Sequence, residues 1–308
     1  MNTIYFDSDL DDDPRREALY AGQLFVYSPT PHGAALCEHA RELIEEAFDP
    51  HDPPTAQDEL PVEEYAAILA ELKPKFIHHP RSKELIQGLL EELGCHLETI
   101  YFDVPRMRTA TSDGYLTSGI AYAFHPHRDT WYSAPMCQLN WWLPIYEVSS
   151  ENVMAFHPRY WDQPVANSSS GYNYYEWNAT SRKEAAKHIK KDTRKQPKAE
   201  EELDPDPQLR IVCPVGGVIA FSAAHMHSTV DNTSGRTRFS IDFRTVNRDD
   251  LEARRGAPNV DSACTGTTLR DYLRGTDLAH LPEELVAAYD DETHERGQLV
   301  FESAGSTG

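Results

Sequence analysis

No stretch of the 308-residue chain approaches the roughly 18 consecutive apolar residues that a membrane-crossing helix needs, so no membrane partner is expected. Cysteine is scarce. The five present (Cys37, Cys95, Cys137, Cys213, Cys264) are an odd number, widely spread and without a CxxC pair. That excludes a disulfide frame or a zinc knuckle and predicts reduced thiols in a cytoplasmic protein. Positive charge is also short: 29 Lys and Arg stand against 50 Asp and Glu, a net charge of -21. Nucleic acid is therefore not expected as a partner, since a polyanion would be repelled. Met1 to Pro14 is acidic and lacks the basic-then-apolar order of a secretion signal. No internal repeat and no low-complexity tract is visible. What remains is a globular composition, 40% hydrophobic and 10% aromatic, long enough for a substantial core. The oligomeric state is left open.

Three helices are predicted in the first third. Residues 33–48 carry apolar side chains at helical spacing and stop before Pro50. Residues 61–72 do the same and are closed by Pro74, and residues 81–94 end at Gly94. A short strand, 22–27, precedes them. After Gly94 the chain turns aromatic and β-branched, with strands expected over 97–104, 115–125, 137–146, 211–222 and 237–246. In 137–146, Leu139, Trp141 and Leu143 alternate with Gln138, Asn140 and Trp142. Residues 179–208, rich in Lys, Glu, Asp and Ala, suggest an exposed helical excursion or a flap. The tail offers helical pieces near 267–274 and 283–291. This order predicts a mainly β single domain with flanking helices: a helical buttress over 1–96, a β core over 97–246 carrying the 179–208 insertion or lid, and a helical tail over 247–308.

The chemistry concentrates in two segments. The first is Phe124-His-Pro-His-Arg-Asp-Thr-Trp-Tyr132, in which His127 and Asp129 are two apart. On a strand such positions share a face, so an imidazole and a carboxylate can grip one cation. The second runs from Pro214 to Arg244. A glycine turn leads into an apolar strand ending in His225 and His227. A returning strand then sets Arg238, Ser240, Asp242 and Arg244 on one face and Phe239, Ile241 and Phe243 on the other. A charged face inside a compact domain must be paired or bind a ligand, and an arginine fork suits a ligand carboxylate. Two histidines and one carboxylate with open positions suit non-haem Fe(II).

These segments resemble the Fe(II)/2-oxoglutarate-dependent oxygenases, in particular the phytanoyl-CoA-dioxygenase-like branch, over roughly residues 97–246. The resemblance is carried by His127-x-Asp129, by His227 about a hundred residues later and by Arg238 eleven residues beyond that. Phe221, six before His227, the polar turn at Asn232 and Ser234, and the Leu143–Asn152 passage ending in Glu-Asn also match. Gly216-Gly217 stands where the family commonly has Gly-Asp, a structural position. The resemblance implies a double-stranded β-helix (jelly roll, cupin-like) core. It implies Fe(II) on His127, Asp129 and His227, with 2-oxoglutarate and O2 completing the centre. His225 competes with His227 as ligand, and the spacing to Phe221 and Arg238 favours His227; His125 competes with His127 but lacks Asp at +2.

The far carboxylate of 2-oxoglutarate would pair with Arg238, helped by Ser240 and Thr229. Gln138 and Asn140 are candidate donors to the cosubstrate or structural amides. Arg106 and Arg108 suggest recognition of a substrate anion or surface salt bridges, and Trp131 and Tyr132 an aromatic wall. The aromatic run from Trp161 to Trp177 suggests a cover for the site or ordinary packing. Halogenating relatives have a small residue where this chain has Asp129, so hydroxylation of a small molecule is expected. Desaturation, cyclisation or epimerisation on the same centre, a non-catalytic jelly-roll binding module and a zinc hydrolase are the alternatives.

Overall fold

The computed structural model describes residues 3–181, Ala185, His188 and 192–290. Its strands are β1 (Ile4–Phe6), β2 (Leu24–Tyr27), β3 (Ile100–Phe102), β4 (Arg106–Ala110), β5 (Leu139–Pro144), β6 (Met154–Phe156), β7 (Leu209–Arg210), β8 (Val218–Ser222), β9 (His227–Thr229), β10 (Arg238–Asn247) and β11 (Leu273–Arg274). The helices are α1 (Asp12–Tyr20), α2 (Pro31–Phe48), α3 (Val62–His78), α4 (Pro80–Glu92) and the short α5 (Tyr174–Glu176), α6 (Arg248–Glu252) and α7 (Glu283–Ala287). An eight-stranded mixed sheet has the order β1-β2-β8-β5-β10-β3-β11, with β4 also pairing β10, and a three-stranded sheet has the order β7-β6-β9. This mixed α/β structure with one large mixed sheet is compatible with a β-rich, cupin-like core. Among the described residues no helix is long and apolar enough to cross a membrane.

Period-two alternation sorts the large sheet into two faces. Leu139, Trp141, Leu143, Phe239, Ile241 and Phe243 join a core cluster with Leu36, Ile44, Leu69, Phe76 and Leu89 from α2, α3 and α4. Trp142, Ile219 and Phe221 face the other way, into a second cluster with Phe156 of the small sheet. The functional face of the large sheet is therefore the one turned from the helices.

α2 begins where Thr30 accepts a hydrogen bond from Gly33 N, with Pro31 in the first turn. α3 runs through Pro74 to His78, six residues past the expected end at residue 72. The ring forfeits one backbone bond, but the buried stripe Tyr65, Leu69, Leu72 and Phe76 continues across it and holds the helix. α1, inside the acidic lead, was not expected. Its acidic first turn pairs with its own arginines, Asp12 with Arg15 at 2.7 Å and Asp13 with Arg16 at 2.8 Å.

The predicted strand over 115–125 is absent. That segment is a loop with one 3-10 turn, Gly119–Ala121, and Gly119 sits at φ +60°, where a side chain is strained. The strand in this region is β4, disguised by the two arginines that alternate along it. Only 218–222 of the expected 211–222 is strand. Residues 267–274 form a 3-10 turn and β11, not a helix. Of 179–208, the part from 192 onward has no helix, and most of 182–191 lies outside the described residues, as does 291.

Candidate metal centre

His127 and His227 form an isolated antiparallel bridge, His127 N donating to His227 O at 3.0 Å and the reverse at 2.9 Å. This bridge clamps the end of β9 to the loop before Asp129. His127 Nδ1 lies 2.8 Å from His125 O, and His227 Nδ1 lies 3.0 Å from His225 O. A carbonyl only accepts, so each Nδ1 carries the proton and each Nε2 keeps a free lone pair. Those Nε2 atoms face one oxygen, Asp129 Oδ1, at 3.4 Å and 3.8 Å. Ligand atoms of the three residues all lie within 4.8 Å of one another.

Burial, with His127 beside it, pushes the His227 imidazole down to about 4, so it stays neutral and able to bind a cation. Burial alone would raise the Asp129 carboxyl. The nearby Arg244 guanidinium works against that and favours the carboxylate. A second grouping of possible ligands, Asp12, Asp13 and His96, is spent partly on Arg15 and Arg16.

His225 does not reach the cluster. Its ring packs against Trp161 at 4.5 Å and Phe156 at 5.8 Å, and only its carbonyl serves the site. His125 is exposed and likewise contributes its carbonyl.

The other carboxylate oxygen of Asp129 is held from behind. Asn140 Nδ2 donates to Asp129 Oδ2 at 2.9 Å, Gln138 Nε2 donates to Asn140 Oδ1 at 2.9 Å, and Tyr272 OH donates to Gln138 Oε1 at 2.8 Å. Tyr272, from the tail, is fully buried. The structure thus directs the Gln138 and Asn140 amides along a chain that ends on Asp129.

A cavity of about 540 Å³ opens from this cluster. It is lined by the β4, β5 and β10 face, by β9 with His227 and Thr229, and by an aromatic wall including Tyr122, Phe124, Tyr132, Tyr172 and Trp177. Arg238 lies in this wall, 5% exposed, its Cζ 5.8 Å from the centre of the Trp142 ring. Its Nη1 donates to Asn152 O at 3.1 Å, while its Nε has no partner. Ser240 Oγ, on the same strand face, is also buried without a partner. On β10 Arg238 stands six residues from Arg244, which pairs with Asn140, and its head reaches back to the Trp142 ring. Burial lowers Arg238 to about 10.

Arg108 pairs with Asp242 through two hydrogen bonds, 2.7 and 3.2 Å, and Arg106 pairs with Asp103 at 2.5 Å. Both arginines line the cavity. Trp131 does not. The 3-10 turn Asp129–Tyr132 puts Asp129 and Tyr132 on the cavity side and sends Trp131 into a separate cluster, its Nε1 donating to Asp261 at 2.7 Å. Missed from sequence were Lys73, Tyr272 and the roles of Asp103, Asp242 and Arg244. Lys73 had a signal. It lies four residues after Leu69 and three before Phe76, on a stripe that is otherwise apolar.

No family model matches the chain, and no curated protein matches it. Solved structures with some likeness include EvdO2 from Micromonospora carbonacea var. aurantiaca (TM-score 0.42, 12% identity, over 77% of this chain and 91% of that one). AviO1 from Streptomyces viridochromogenes Tue57 gives 0.39 at 13% identity, over 82% and 99%. SnoN, a non-haem α-ketoglutarate-dependent epimerase of nogalamycin biosynthesis, gives 0.35 at 14%, over 77% and 84%. These likenesses are remote, and the chemistry is argued from the side chains of this chain.

Proposed function

We propose that this protein is an Fe(II)- and 2-oxoglutarate-dependent oxygenase that hydroxylates an unactivated C–H bond of a small molecule, with succinate and CO2 as the co-products. In this assignment the two sheets are the sides of a double-stranded β-helix of phytanoyl-CoA-dioxygenase-like type. The observation that carries it is that one cavity is lined by both a cluster of two bare Nε2 atoms and one carboxylate oxygen, and a buried, incompletely partnered arginine.

His127, Asp129 and His227 would hold the metal, a donor set that suits Fe(II) and leaves positions open. Arg238 Nε and Ser240 Oγ are the buried polar atoms that a second carboxylate would satisfy, with Thr229 lining the same wall. Fe(II) chelated by 2-oxoglutarate supplies dioxygen activation coupled to decarboxylation. The chain's own residues set the geometry. Asn140 occupies Asp129 Oδ2, which leaves Oδ1 for the metal. The two carbonyls behind His127 and His227 fix both rings. Arg238 orients the cosubstrate by its far end, and the aromatic wall keeps water from the reacting carbon. Asp129 occupies the place a halide would need, which favours hydroxylation over halogenation.

The test is an anaerobic titration of apoprotein with Fe(II) and then 2-oxoglutarate, watched for the visible charge-transfer band of a chelated keto acid. A band that is lost in His227→Ala and in Arg238→Met supports the assignment. Iron binding without a band refutes it. Product mass then separates outcomes: hydroxylation adds one oxygen, whereas desaturation or cyclisation removes two hydrogens.

A further inference from the structure

The cavity's charge runs against that of the chain. Among the described residues six cationic side chains line it, Lys73, Arg106, Arg108, Arg194, Arg238 and Arg244, although the protein carries a net charge of -21. Four of these are answered by acids. Arg108 has Asp242, Arg194 has Asp192 at 2.5 Å, and Arg106 and Arg244 share Asp103. Lys73 and Arg238 form no ion pair among the described residues. Taking Arg238 for the cosubstrate, as proposed above, leaves Lys73 over.

Lys73 projects from α3 into the cavity, and its ammonium donates to the carbonyl of Ile120. An ammonium has three donors, so two remain. Arg108 is near enough to repel it and Asp242 near enough to offset part of that, but with no ion pair to an acid among the described residues its burial is still costly. The Arg108 guanidinium lies 5.2 Å from the centre of the Phe124 ring, and that ring lies 5.0 Å from the His127 ring. Phe124 thus spans the distance from the cationic end of the cavity to the metal cluster, with Tyr122 edge-on against it at 5.0 Å.

We infer that the substrate carries an anionic group, a carboxylate or a phosphate, received by Lys73 beside Arg108, and an apolar or aromatic body laid along Phe124 toward the metal. Lys73 is then a specificity-determining residue for a substrate, separate from the arginine that takes the cosubstrate. The pairing of Arg108 with Asp242 keeps that arginine fixed, so the lysine is the group that answers the new charge.

The test compares two fluorescent probes of like body on protein holding Fe(II) and 2-oxoglutarate without oxygen: anionic 1-anilinonaphthalene-8-sulfonate and neutral N-phenyl-1-naphthylamine. The anion should bind at least about tenfold more tightly. Lys73→Met should remove that preference while leaving the neutral probe unchanged, and Lys73→Arg should keep it. Equal binding of both probes, or a preference that survives Lys73→Met, overturns the inference. Displacement of the sulfonate by phenylacetate or by phenyl phosphate tells which anion is accepted. Displacement by neutral phenylacetamide just as strong as by both anions overturns it too. The charge-transfer band in the same samples reports on the oxygenase assignment separately: a band without anion preference sinks this inference alone.

Discussion

Arg238→Met should move two measurements in opposite directions. The guanidinium is buried, lacks an ion-pair partner among the described residues and is pushed by burial down to about 10 from the ordinary 12.5. At about 1.36 kcal/mol per tenfold, holding that charge costs the fold on the order of 3 kcal/mol. The sign follows from linkage. The folded chain binds this proton less tightly than the unfolded chain, so the cost is fully present below pH 10 and fades as pH rises above it. Removing the charge relieves the cost but deprives Asn152 O of its 3.1 Å donor, a loss of roughly 1–2 kcal/mol. The net is a stabilisation of about 1–2 kcal/mol, or a rise in Tm of roughly 2–6 °C. Cosubstrate binding should change the other way. Breaking a buried ion pair costs about 3–5 kcal/mol, which weakens 2-oxoglutarate by roughly 10² to 10³-fold or more. Differential scanning fluorimetry at neutral pH, with Co(II) present and with or without 2-oxoglutarate, reads both effects. A variant that melts several degrees below wild type would show that Arg238 is a structural cation. One that keeps its 2-oxoglutarate shift would show that the carboxylate sits elsewhere. Either result refutes the assignment of Arg238.

Other expectations follow from the same contacts. His227→Ala should weaken Co(II) binding, measured by calorimetry, at least about 100-fold, whereas His225→Phe should change it less than tenfold, because His225 offers the site only its carbonyl. Asn140→Leu, which frees Asp129 Oδ2, should cost about 10–100-fold in Co(II) affinity. Tyr272→Phe leaves Gln138 Oε1 without its donor. It should lower stability by about 1–3 kcal/mol in urea melts and weaken Co(II) binding less than Asn140→Leu does, and a Co(II) affinity equal to wild type would disprove a relay through Gln138. Burial first, then Arg108, pushes Lys73 down to about 7 against the opposing pull of Asp242. Below that pH it is charged in the empty protein and above it neutral, so binding of the sulfonate probe should weaken as pH rises from about 6 to about 9, and in Lys73→Arg it should stay flat.

Some parts of this protein are written locally in the sequence and others are not. α2 and α4 were legible because each has its own stop, Pro50 and Gly94, and its own apolar stripe. β5 and β10 were legible because period-two alternation survives when one face packs on helices and the other on a cavity. β4 was not. Arg106 and Arg108 look like surface residues until Asp103 and Asp242, from β3's end and from β10, are brought beside them. α3 was cut short on paper because a proline rule is local, while the buried stripe that overrides it depends on the sheet beneath.

The candidate metal cluster shows the same division at closer range. The two-residue spacing of His127 and Asp129 suggested a shared strand face, yet Asp129 opens a 3-10 turn and no strand contains His127. What brings the pair together is the bridge to His227, a contact across a hundred residues that fixes both backbones at once. The competing histidines were a sequence puzzle because a motif counts side chains. In the structure His125 and His225 supply carbonyls, the same device twice, and the choice between neighbouring histidines becomes a division of labour between backbone and ring. Asp129 is steadied through Asn140 and Gln138 by Tyr272, which belongs to a tail the motif does not reach. The residues that touch the cation were therefore legible as a pattern. Those that aim them were not, because aiming depends on which distant polar groups the fold leaves with nowhere else to turn.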